Sequence, residues 1–189
     1  MGPCLGTILR FAKKNRHSKV VCIADNIIPH EKRFGDKPFT KYFIRPVDAF
    51  ITMSEKVLAD LKLFEKDKPA KAVLHPLYDN FGEKISKDEA RKKLALPVKG
   101  YIFLFFGFIR KYKGLDILIS ALEHISQLEN FYLLIAGEFY SDEKDIIHQI
   151  KISPMADQII SRTNFIQDEE VALYFSAADC VVQPYRHAT

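Results

Sequence analysis

The chain has 189 residues, 48% of them hydrophobic, which exceeds one small domain and is enough to bury a sizeable core. Charged residues make up 28% and the formal net charge is +4, a mild excess that suits acidic ligands or an anionic membrane surface without demanding a nucleic-acid polyanion. Cys4, Cys22 and Cys180 lie far apart and fit neither a disulfide framework nor a metal-ligand spacing, so they read as small core residues in a reducing compartment.

The opening "MGPCLGTILRFAKKNRHSK" carries its bases after its apolar part, opposite to a secretory signal, and no apolar run approaches a membrane span, so a cytoplasmic location is expected. Leu5, Ile8, Leu9 and Ala12 stand at helical spacing over 5–15 with Arg10, Lys13, Lys14 and Arg16 between them. That pattern reads as a surface helix, or as one resting peripherally on anionic lipid at the inner membrane face. Farther on, "KVVCIAD", "AFITM", "KAVLH", "YIFLFFG", "YLLIAGE", "NFI" and "CVVQPY" read as strands. Helical patterns over 39–46, 54–64, 86–95, 114–126, 142–151 and 168–177 fall between them, with helix starts at Ser54, at Ser86 followed by Glu89, and at Asp168. Strands that are apolar throughout are buried on both faces, and strand–helix–strand order makes parallel sheets, so the predicted class is α/β with doubly wound sheets. The aperiodic "HPLYDNFGEK" reads as a linker, dividing the chain into 1–82 and 83–189. The first block opens on a helix and holds three strands, while the second stops on a strand, so each reads as part of a Rossmann-like domain.

Three loops leave strands where an open α/β sheet binds ligands. In "FFGFIRKYKGLDILI" the strand ends at Gly107, a basic loop follows and a helix opens at Gly114. Arg110 offers a planar fork to phosphate oxygens, Lys113 a point charge, and the helix start unpaired amides. Cations at a helix start oppose its dipole, a conflict that a bound anion resolves; the alternative is solvated surface charge. In "ADNIIPHEKRFGDKP", Asp25, Asn26, His30 and Glu31 read either as a turn and loop surface or as groups that bind sugar hydroxyls and supply a base. Gly137-Glu138 reads as a structural turn, or as a close ligand approach with a carboxylate for ribose hydroxyls. There is no GxGxxG or P-loop pattern, no nucleophile elbow and no metal-ligand cluster, so neither a cofactor nor a metal is expected. Phe103, Phe105, Phe106 and Phe108 read as core or sheet faces, not a base-stacking platform.

Taken in order, "DNIIPHE", "FFGFIRKYKGLDILISAL", "LLIAGEFY" and "EEVALYFSAADCVVQPY" resemble the GT-B glycosyltransferases of family 4 over nearly the whole chain. The resemblance implies that 1–82 is the last part of an acceptor-side N-terminal domain and 83–189 the first part of a nucleotide-sugar donor domain. It gives Arg110 and Lys113 the donor diphosphate, Gly107, Gly114, Gly137 and Glu138 the donor loops, and Ile166, Gln167, Pro184 and Tyr185 places near base and sugar. Asp25 stands where many members have a histidine facing the donor sugar, while His30 and Glu31 match the family pattern beside Asn26. Phe108 follows Gly107 where many members have arginine, and "PYRHAT" lacks the family's paired donor-gripping glutamates. The implied activity is metal-independent, retaining transfer from a nucleotide-sugar to a glycan or lipid-linked acceptor in polysaccharide or glycoconjugate synthesis, without nucleic acid. The same cleft also suits a non-catalytic nucleotide or phosphate-binding module or a nucleotide-sugar epimerase of the same fold.

Overall fold

A computed structural model describes residues 3–15, 17–29, 34–78, 81–125, 127 and 130–186. The chain forms two compact units, Met1–Leu77 and Tyr78–Ala188, so the divide falls ahead of the expected position after residue 82, within the same linker.

The first unit runs α1 (Pro3–Ala12), β1 (Val21–Ala24), α2 (Asp36–Ile44), β2 (Ala49–Thr52), α3 (Glu55–Lys62) and β3 (Ala70–Ala72), with the strands parallel in the order β1-β2-β3. Cys22 pairs in register with Phe50 and Ala24 with Thr52, so these four share one sheet face. Ala24 and Phe50 pack there against Phe43 and Ile44 of α2 and Val57 and Leu61 of α3. Both crossover helices lie on that face, and on the other Val21 and Ile23 are 57% and 62% exposed, against the expectation of burial on both sides of β1. Helix α2 starts earlier than its apolar pattern suggests, because Pro38 falls in its first turn, where a missing N–H is no loss. The Ser54 side chain accepts a hydrogen bond from the Val57 amide and caps α3. On α1, Leu9 faces the core while Leu5, Ile8 and Phe11 are exposed. Cys4 is exposed, which corrects its reading as a core residue, whereas Cys22 is half-buried and packs against the core.

The second unit runs α4 (Lys87–Lys93), β4 (Tyr101–Phe106), α5 (Leu115–Leu122), β5 (Phe131–Ala136), α6 (Glu143–Ile152), β6 (Ile159–Arg162), α7 (Asp168–Ala177) and β7 (Cys180–Val181). Its sheet is parallel with order β6-β5-β4-β7. Here the two central strands are buried on both faces. Phe105, Leu133 and Ile135 pack on Leu115, Ile119, Leu122 and Ile146, and Ile102, Leu104 and Leu134 pack on Ala90, Tyr174 and Ala177. The strand expected at "NFI", 164–166, is absent; β6 lies at Ile159–Arg162 instead, where Ile159 and Ile160 register with Leu133 and Leu134. An edge strand is only half covered, so two apolar residues suffice for it, and Phe165 is largely exposed. Gln167, not Asp168, precedes α7, and its amide donates to the Glu170 carboxylate. Cys180 is half-buried.

At the end of the sheet where β4 and β7 begin, Arg91 is only 3% exposed. Its guanidinium donates to the carbonyls of Ala177, Val98 and Gly100 and pairs with Asp179 at 2.6 Å. Asp179 also accepts from the Ile102 amide at 2.7 Å and from Lys87. This pin ties α4, β4 and the α7–β7 turn together. Among the described residues no helix is long and apolar enough to cross a membrane.

Candidate active site

The site begins where β4 and β5 end. Gly107 and Gly137 both have positive φ, 97° and 133°, and a Cβ on Gly137 would lie 2.4 Å from the Gly107 carbonyl oxygen. Only glycine at 137 lets the two chains pass this closely. Beyond that crossing the loops remain zipped: the Gly107 amide donates to Ala136, the Ile109 amide to Glu138 at 2.7 Å, and the Tyr140 amide back to Ile109 at 3.0 Å. The basic loop therefore has a defined course.

Lys111–Lys113 forms one 3-10 turn, and α5 begins after Gly114. This turn folds the Lys113 side chain back so that its Nζ lies 2.9 Å from the position a Gly107 Cβ would take. Burial lowers the Lys113 pKa from the ordinary lysine value, and the nearby Arg110 charge lowers it further. Lys113 is thus a partly desolvated cation at the carboxyl edge of a parallel sheet, with Arg110 as its electrostatic neighbour. Lys113 lines a cavity of ≈ 810 Å³ with Phe106, Gly107, Phe175, Gln183 and Lys84. Its walls are mainly apolar, and the ammonium and the Gln183 amide supply polar points. That amide donates to the Phe106 carbonyl at 3.1 Å.

Arg110 takes a different direction. Its guanidinium stacks 3.8 Å above the Tyr140 ring centroid and lines a cleft of ≈ 230 Å³ with Asp116, Asp142 and Gln149. The two cations are electrostatic neighbours that face separate cavities. Phe108 is 50% exposed, outside the core expected for it, and lines a pocket of ≈ 190 Å³ with Gly107, Gly137, Glu138, Phe165 and Ile166. Gln167 stands at the start of α7 beside that pocket. Pro184 and Tyr185 lie over the basic loop: a Cβ on Gly114 would lie 2.1 Å from the Pro184 carbonyl oxygen, and the Tyr185 ring sits 5.8 Å from that of Tyr112.

In the first unit, Asp25 follows β1 and is exposed, and Asn26 is half-buried. His30 and Glu31 lie outside the described residues. Sequence reasoning missed Phe81, Phe175 and Gln183, which line the cavities at the loop, and Arg186, which bonds to it. A cation directly after the apolar "CVVQPY" was the available signal for Arg186. Among the described residues no group of three or more His, Cys, Asp or Glu side chains could hold a metal ion.

Two parallel sheets with strand, basic loop and helix at the carboxyl edge define an α/β protein of GT-B type, built from parts of two Rossmann-like domains. Residues 86–188, more than half of the chain, match the family described as glycosyl transferases group 1, and the chain belongs to that family. Among solved structures, sucrose-phosphate synthase from Thermosynechococcus elongatus matches at TM-score 0.77 and 19% identity, over 95% of this chain and 48% of that one. Anabaena HepE in complex with UDP and glucose matches at TM-score 0.76 and 18% identity, over 95% and 51%. WaaG, a glycosyltransferase involved in lipopolysaccharide biosynthesis, matches at TM-score 0.68 and 15% identity, over 94% and 56%. The chain thus spans about half the length of the solved structures it matches. A comparison with curated protein sequences finds no match.

Proposed function

We propose that the chain carries the donor-site part of a retaining family 4 glycosyltransferase that moves a sugar from a nucleotide-sugar to a glycan or lipid-linked acceptor in cell-surface polysaccharide or glycoconjugate synthesis. One observation carries this reading: the Lys113 ammonium is held, partly desolvated and beside Arg110, over the side-chain-free backbone of Gly107 at the carboxyl edge of the sheet. Holding a partly desolvated ammonium beside a second cation is electrostatically unfavourable, and a diphosphate relieves it.

In the reaction, the bond between the anomeric carbon and the diphosphate oxygen breaks and its electron pair goes to the nucleoside diphosphate. Lys113, with Arg110 nearby, stabilises that charge, and loss of one such donor raises the barrier by about 3 kcal/mol. The acceptor hydroxyl attacks from the face the leaving group departs, and its proton passes to a diphosphate oxygen. Glu138 accepts hydrogen bonds from ribose hydroxyls, Gly137 gives the backbone approach, and Ile166 and Gln167 border the base, with Pro184 and Tyr185 nearer the sugar. In this reading 1–82 faces the acceptor through Asp25, Asn26, His30 and Glu31, and 83–189 holds the donor. Side-chain cations take the part a metal takes elsewhere, so no cofactor is required, and the protein works in the cytoplasm or against the inner membrane face. That HepE was captured with UDP and with UDP-glucose supports a nucleotide-sugar donor.

The test is release of nucleoside diphosphate from a panel of nucleotide-sugars in the presence of EDTA, with and without a polysaccharide or lipid-linked acceptor fraction. Release that depends on the acceptor supports transfer. Release or isomerisation without it replaces the proposal with hydrolysis or epimerisation.

A further inference from the structure

The segment that follows β7 is fastened to the basic loop by more bonds than a passing turn needs. The Arg186 amide donates to the Tyr112 carbonyl at 2.8 Å, and its guanidinium Nε donates to the Lys111 carbonyl at 3.2 Å. Its far nitrogen pairs with the Asp116 carboxylate in the first turn of α5. Two neighbours reinforce the contact. The Pro184 carbonyl is packed so tightly on Gly114 that no Cβ fits between them, and the Tyr185 ring lies beside Tyr112. Arg186 therefore bonds two of the three carbonyls of the turn that ends in Lys113, and the helix that follows it.

We propose that Arg186 is a positioning residue: it clamps the Lys111–Lys113 turn against α5 and so aims the Lys113 ammonium over Gly107, where the diphosphate of the donor is to bind. The inference rests on the reading of Lys113 as the phosphate cation. Physically, a 3-10 turn of three residues is weakly held by its own bonds, here Lys113 amide to Arg110 and Gly114 amide to Lys111. Like charges at Arg110 and Lys113 push the ammonium outward into water. The guanidinium counters this from outside the turn, where its planar fork reaches two acceptors at once without entering the cavity. Asp116 in turn neutralises Arg186, so the clamp adds no net charge to the corner.

The position predicts a measurable signature, since burial in the cavity, and then the Arg110 charge, lower the Lys113 pKa, and an ammonium released into water loses the first of these. The groups around it are Arg110 on its own loop, Lys84 and Tyr78 on the segment before α4, and Gln183 after β7. The experiment uses the full chain and reads two quantities in wild type, Arg186→Ala, Arg186→Lys and Lys113→Ala: the Lys113 amine titration by NMR of reductively 13C-methylated protein, and affinity for UDP and inorganic pyrophosphate by calorimetry. Arg186→Ala is expected to return the Lys113 titration toward the ordinary lysine range and to weaken pyrophosphate and UDP alike by roughly five- to tenfold. Arg186→Lys, which keeps the charge opposite Asp116, is expected to restore part of both. Asp116→Asn repeats the test should Arg186→Ala not fold, with a smaller shift in the same direction. An unchanged Lys113 titration in a folded Arg186→Ala or Asp116→Asn protein overturns the clamp, as does unchanged affinity in Arg186→Ala while Lys113→Ala is weakened. If Lys113→Ala itself binds pyrophosphate like wild type, the phosphate reading fails, and the clamp is then judged on the titration alone.

Discussion

Replacing Asp179 by alanine tests whether the buried pin at the base of the second sheet holds that unit together. The Arg91 guanidinium would keep its bonds to Ala177, Val98 and Gly100 and lose the Asp179 carboxylate, at a site 3% exposed. Removing one partner of a buried pair costs about 3–5 kcal/mol, because the remaining charge is left uncompensated. The Ile102 amide, on a residue that is fully buried, would also lose its acceptor, with a penalty of about 1–3 kcal/mol that overlaps the first. The Lys87 side chain is nearly half exposed, and its arm contributes under about 1 kcal/mol. A loss of about 4 kcal/mol is therefore expected, which for a unit of this size lowers Tm by roughly 15 °C or more. Urea unfolding followed by far-UV circular dichroism should show the midpoint moving with the m-value unchanged. Asp179→Asn, which keeps an acceptor for Ile102, should lose less. A loss under about 1 kcal/mol for Asp179→Ala would mean that the pair behaves like an exposed one and that the reasoning from burial is wrong.

Gly137→Ala should prevent the close passage of the two loops, destabilising the second unit by at least about 2 kcal/mol and abolishing UDP binding in whatever fraction folds; circular dichroism melts and calorimetry read both. Ser54→Ala should destabilise the first unit by about 1 kcal/mol in the same melts, through loss of the α3 cap. Asp179 titrates below an ordinary carboxyl: burial raises it, but hydrogen bonds from Lys87 and the Ile102 amide and the Arg91 charge lower it further. Asp48 is lowered by its bonds from Lys13 and the Val20 amide. For depressed carboxyls the stabilisation is present above the unfolded value near pH 4 and is lost as pH falls through the folded values, so the urea midpoint should be level at neutral pH and fall steadily below about pH 4. In Asp179→Ala the part of that fall contributed by Asp179 should be missing.

The central strands of the second unit were legible because β4 and β5 are apolar on both faces, which only a two-sided core produces. Edge elements were harder. Ile159 and Ile160 make a strand because β5 lies beside them, whereas "NFI" is equally apolar and has no strand beside it. Helix α2 hides its first turn behind Asp36, Lys37 and Pro38, which have no apolar period. At the site, Gly107 and Lys113 could be read from one strand–loop–helix segment because both are local to it. The stacking of Arg110 on Tyr140 could not, since it depends on two loops being zipped after different strands. Arg186 is farther still along the chain and reaches the loop only because β7 lies beside β4. Local pattern marks the basic corner at the sheet edge, and sheet order decides which side chains reach it.

The most direct test of the account is calorimetric titration of the protein with UDP at neutral pH, comparing wild type with Lys113→Ala. Wild type is expected to bind UDP and the substitution to weaken that binding roughly ten- to hundredfold, the worth of one charge-assisted hydrogen bond to phosphate. Wild-type affinity is also expected to fall at alkaline pH before an ordinary lysine would deprotonate, with no such fall in the variant. Equal affinity in the two proteins would contradict the account.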